Sequence, residues 1–112
     1  MNDTPRTPHD VLTEIRNIRA ELLRGSDAIH AAETAAELAE LAAQKAEDLA
    51  FINSEGSVEL RKAAARLAAE EAATEAVVAR AGMNRVKTKI RGLESALVSL
   101  QAELKWMKEE GA

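Results

Sequence analysis

Five basic side chains, Arg80, Arg85, Lys87, Lys89 and Arg91, fall within the stretch VARAGMNRVKTKIRG, Val78 to Gly92, with no acid among them. Cations at that density can hold phosphates, because lysine and arginine displace the counterions condensed along a nucleic acid. The same side chains suit the flanks of a coiled coil, where they would pair with acids of a neighbouring subunit. The chain as a whole carries 15 Lys and Arg against 19 Asp and Glu, a formal net charge of -4, so the segment runs against its surroundings.

Other chemistry has little to work with. There is no cysteine, which removes disulfides, zinc thiolates and thiol nucleophiles. No glycine-rich phosphate loop is present, and no recognisable motif sets a nucleophile beside His9 or His30. His30, Glu33 and Glu37 could share one helix face as metal ligands, yet the second half of the chain has no matching histidine. The chain is therefore expected not to be an enzyme and to need no cofactor or metal. Trp106 is the one tryptophan, and it suits either a base or a partner helix.

What must position these residues is helix. In 112 residues the charged fraction is 30% and the aromatic fraction 2%, too few large apolar groups for a compact globular core. Alanine, leucine, glutamate, lysine and arginine dominate, and these side chains lose little rotamer freedom on a helical surface. Thr7, Pro8 and Asp10 read as an N-cap, a first-turn proline and a first-turn acid, so a helix is expected to start at Pro8. In FINSEGSVEL, Asn53, Ser54 and Gly56 read as a turn, and Ser57 as the cap of a second helix. The expected layout is a disordered 1–7, a first arm 8–52, a turn 53–57 and a second arm 58–109, one all-α helical hairpin with coiled-coil character. Neither a basic start nor a long apolar run marks a membrane or export segment, so a cytoplasmic protein with no membrane partner is expected.

Apolar periodicity supports long arms. The second arm places Val58, Ala65, Ala69, Ala72, Ala76, Ala79 and Met83 at alternating steps of four and three, interrupted by Lys62 alone. The same steps continue through Val86, Ile90, Leu93, Leu97, Leu100, Leu104 and Met107, a seam expected to serve oligomerisation. The first arm carries two seams. One runs from Val11, Ile15, Ile18, Leu22 and Gly25 through Ile29 and Ala36 to Ala50, and its neighbour reads Ala31, Ala35, Leu38, Ala42, Lys45, Leu49, Ile52. A lone hairpin cannot bury both, so a homo-oligomer is expected, larger than a dimer. A kink or break is expected at Gly25-Ser26-Asp27. The rival architecture is a monomeric four-helix bundle broken at Gly25, near Gly56 and at Gly82, but neither AELLRGSDAIH nor VARAGMNRV supplies an obvious polar connection.

Glu33, Glu37, Glu40, Gln44 and Glu47 form an acidic stripe on the first arm away from both seams. Counting outward from Glu55 sets this stripe beside Arg61, Lys62 and Arg66. The basic segment then lies opposite Arg19, Glu21, Arg24 and Asp27, and is expected to be an unneutralised band, with Arg80, Lys87 and Arg91 in one row and Arg85 and Lys89 in a second row on the other side of the seam.

From about Ala28 to Met107, and most specifically in EGSVELRKA, the pattern resembles short bacteriophage proteins encoded among replication and recombination genes. More distantly, the layout is similar to the UvsY-type recombination mediators of phages, with a helical first part, a small-residue turn and a long C-terminal helix that assembles rings. That resemblance implies binding of single-stranded DNA and partnership with a RecA-like recombinase and a single-strand-binding protein. It also implies a DNA-contacting lysine and arginine before the turn. In QKAEDLA, Lys45 matches the lysine, whereas Glu47 stands in the arginine's place. The expected function is thus an oligomeric coiled-coil accessory factor of phage recombination or replication. The alternative is a structural or regulatory coiled-coil protein that binds no nucleic acid.

Overall fold

The computed structural model describes residues 5–111. Helix α1 spans Pro8–Asn53, α2 Val58–Ala68 and α3 Glu70–Gly111, with no strand among the described residues. The protein is an all-α helical hairpin, with α1 as one arm and α2 followed by α3 as the other.

The start of α1 is held by a reciprocal cap. The Asp10 N–H donates to Thr7 Oγ1 at 3.2 Å, and the Thr7 N–H donates to the Asp10 carboxylate at 3.0 Å. The Thr7 backbone N–H, first, and the Thr7 hydroxyl, second, act on the Asp10 carboxylate and hold it below the usual range. Of the stretch expected to be disordered, Met1–Thr4 lie outside the described residues. The remainder is tied down at Thr7 and at Arg6, which pairs with Glu14 at 2.9 Å and Glu103 at 3.4 Å.

The turn follows its sequence signals. Gly56 has φ 105°, a conformation that side chains resist, and Ser57 accepts from the Leu60 N–H at 3.3 Å to cap α2. A contact that the sequence pattern did not suggest closes it. Arg61 donates twice to the Phe51 carbonyl, at 3.1 and 3.3 Å, and lays its guanidinium 4.3 Å from the centroid of the Phe51 ring. One of the open carbonyls at the end of α1 is satisfied by a cation, which also suits the negative end of the helix dipole.

Two expectations about the arms need correction. The first arm does not break at Gly25, because α1 runs through it. Glycine is there for close approach, with Ile90 seated against its backbone and a Cβ leaving only 2.8 Å to the Ile90 Cδ1. The second arm is interrupted once, at Ala69, where φ is -95° and ψ is 1°. Backbone hydrogen bonds still pass through that residue, from its N–H to Ala65 at 3.0 Å and to its carbonyl from Ala73 at 2.9 Å. Neither glycine nor proline stands there.

Contacts divide the chain into two units. Unit 1 comprises Met1–Ala28 and Lys87–Ala112, and unit 2 is Ile29–Val86. In unit 1 Val11, Ile15 and Leu100 are buried, with Ile18, Leu97, Leu104 and Met107 packed around them. The seam expected to join different chains is thus covered along this stretch by α1 of the same chain. Unit 2 is built on small residues: Ala36, Ala65, Ala69, Ala76 and Met83 are its buried side chains. Alanine brings helix backbones close but contributes little apolar area per residue. Unit 2 holds six basic and ten acidic side chains, which accounts for the whole net charge of -4.

Candidate nucleic-acid interface

In unit 2, Arg80 is not the open cation that sequence counting anticipated. Its guanidinium pairs with Glu40 of the acidic stripe. Gly25 meets Ile90 in unit 1, whereas the count outward from Glu55 sets it opposite Arg85. The seams, not the turn, decide the register. Arg85 is exposed and makes no ion pair among the described residues. Lys45 is exposed too, on the outer apolar stripe of α1 and away from the pair that Arg80 makes.

Unit 1 carries the other three members of the basic segment. Lys87 is half-buried, while Lys89 and Arg91 are exposed. They do not lie on one flank. Lys87 and Arg91 stand two heptads before Gln101 and Lys105, and so share the side of α3 on which those residues face α1. Lys89 stands two heptads before Glu103, on the opposite side, where Glu103 meets Arg6. The basic segment thus keeps the two rows that its spacing anticipates, Lys87 and Arg91 on one flank of the helix and Lys89 on the other.

The flank shared by Lys87 and Arg91 holds a more coherent feature. Leu12, Ile15 and Arg19 of α1 face Gln101, Leu104, Lys105 and Lys108 of α3 across an open groove of about 290 Å³. Its floor is apolar, its rim carries three cations, and no carboxylate lines it. Arg19, Lys105 and Lys108 are exposed. Sequence reading missed this set because its members are far apart in the chain. The signal was nonetheless present, in cations that recur just outside the seam residues Ile15, Ile18, Leu104 and Met107.

The remaining candidates are placed as follows. Trp106 is exposed. Among the described residues no group of three or more His, Asp or Glu is placed to hold a metal ion. No helix among the described residues is long and apolar enough to cross a membrane. Comparison with models of known protein families, with curated proteins and with solved structures found no match.

Proposed function

We propose that this chain is an oligomeric coiled-coil accessory protein of DNA recombination or replication, with single-stranded DNA held on the basic groove of unit 1. The observation that carries the proposal is the groove's lining, with Arg19, Lys105 and Lys108 above Leu12 and Leu104 and no acid among them. Three cations at a rim can follow a phosphate backbone without reading sequence. An apolar floor gives sugars or bases a surface to lie on. Lys87 and Arg91 lie farther along the same side of α3, beyond Glu94. Arg85 and Lys89 are secondary on this reading, Arg80 is occupied by Glu40, and Lys45 has no part in it.

The resemblance to phage recombination-module proteins supplies the biological setting. On that reading a RecA-like recombinase and a single-strand-binding protein are the protein partners, and the site is the cytoplasm of an infected cell. Fluorescence anisotropy with labelled single-stranded DNA tests the proposal. Binding is expected at low salt, falling with a log–log slope of about -0.7 per phosphate contacted. Reversing Lys105 and Lys108 to Glu should remove binding and leave helix content intact. Absence of binding by the wild-type chain at low salt would leave the second reading, a coiled-coil interaction protein without nucleic acid. That reading is favoured by the apolar side chains exposed on unit 2, among them Leu38, Leu41, Leu67 and Val77.

A further inference from the structure

The two flanks of unit 2 differ in kind. On one, Glu40 pairs with Arg80, and Glu47, Arg66 and Glu70 surround a shallow groove. That flank is charged and partly satisfied within the chain. On α1 the opposite flank is the second seam, Ala35, Leu38, Ala42, Lys45, Leu49 and Ile52, all of them exposed. Leu38 is 61% exposed, Leu49 50% and Ile52 68%, although their spacing is that of a seam. The second arm answers on the same flank with Ala68, Glu71, Glu75 and Val78, all likewise exposed.

Charge on this flank is sparse and complementary. Among the seam positions of α1 the one ion is Lys45; on the second arm the ions are Glu71 and Glu75, with Arg61 engaged at Phe51 and Arg85 two heptads beyond Glu71. The Glu40–Arg80 pair, together with the groove that Ala43 lines with Ala69, Ala73 and Ala76, puts Lys45 within about one helical turn of the height of these two acids. None of the three makes an ion pair among the described residues. Gly82 lies on this side too, and a Cβ there would meet nothing within 4 Å. Packing inside the chain therefore gives no reason for a glycine that costs about 1 kcal/mol relative to alanine in a helix.

We infer that this flank of unit 2 is the docking face for a second copy of the chain, related by a two-fold axis parallel to the helices. The inference rests on the oligomeric part of the proposed function and assigns its interface. Such an axis lays α1 of one copy on the second arm of the other at unchanged height. Lys45 then meets Glu71 and Glu75 of its partner, twice per dimer, while Leu38 and Leu49 close over the partner's alanines and Val78. Each helix gains an antiparallel neighbour, and the result is a four-helix bundle. The alternative two-fold, perpendicular to the helices, would set Lys45 against Lys45 and acid against acid. The contact is isologous, so it closes at two, and larger assemblies contain an even number of chains.

Light scattering and circular dichroism on the full chain test the assignment. The wild type should have the mass of a dimer or an even multiple, and a monomer at micromolar concentration would overturn both the inference and the oligomeric reading. The L38E/L49E double variant changes side chains already exposed in the single chain. It should raise the dissociation constant by more than about 100-fold with helix content kept. An unchanged mass would overturn this interface while leaving oligomerisation by another face. Lys45→Glu alone and Glu71→Lys/Glu75→Lys alone should each weaken assembly, and the triple variant combining them should regain it. Failure of that rescue would overturn the arrangement of helices proposed across the interface.

Discussion

Ile90 occupies the space that a side chain at position 25 would need: a Cβ on Gly25 would stand 2.8 Å from its Cδ1 and 3.1 Å from its Cγ1. Gly25→Ala gains about 1 kcal/mol of helix propensity but overpacks this contact, at a cost of about 1–3 kcal/mol. A net loss of stability is expected. Ile90→Val removes Cδ1, so Gly25→Ala/Ile90→Val should be more stable than Gly25→Ala alone in urea unfolding. Gly92→Ala, with nothing within 4 Å of its Cβ, should instead stabilise by about 0.5–1 kcal/mol.

Leu97 packs on the cluster of Val11, Ile15 and Leu100. Leu97→Asp sets a carboxylate against that surface with no cation in the cluster, a loss of several kcal/mol. Thermal melting followed by circular dichroism should show a large fall in midpoint. An unchanged melt would mean that this part of the seam is not closed by α1.

The pair between Arg80 and Glu40 is exposed on both sides, 52% for Arg80 and 40% for Glu40. Exposed ion pairs contribute little, so Glu40→Gln should change stability by less than about 1 kcal/mol. Its clearer effect concerns DNA. Removing the acid releases Arg80, and Glu40→Gln should bind single-stranded DNA no more weakly than wild type in an anisotropy titration at low salt.

Acid should loosen the start of α1. The Asp10 carboxyl is lowered by its hydrogen bonds to Thr7, so its folded value lies below its unfolded one. The stabilisation is therefore fully present above the unfolded value of about 4 and is lost as pH falls through the lower folded value. Asp10→Asn should remove this dependence. Amide exchange at residues 9–12 of both proteins, compared between pH 5 and pH 2, checks it.

The caps and the turn were legible from the chain, because Thr7, Asp10, Asn53, Gly56 and Ser57 act on their immediate neighbours. The seams were legible for the same reason, through their period. Which residues face each other was not obtained by counting from Glu55: that count sets Arg85 opposite Gly25, where Ile90 stands. Seam layers are the better ruler: Ile15 packs with Leu100, and Gly25 with Ile90. Gly25 itself was misread because a helical glycine can mark either a break or a close approach, and only the partner decides. The cationic groove escaped because Arg19 and Lys105 belong to opposite ends of the sequence.

The Arg61–Phe51 clamp links residues ten positions apart, whereas Ile15 and Leu100 are separated by most of the chain. Closing a loop of about ten residues takes on the order of 10–100 ns, and far less chain entropy is lost than in joining the distal core directly. Once the clamp and the Gly56 turn form, each successive seam layer is only a short search away from the last. The hairpin should therefore zip from its turn outward, and the layer of Val11 and Leu100 should be the last assembled and the first to open.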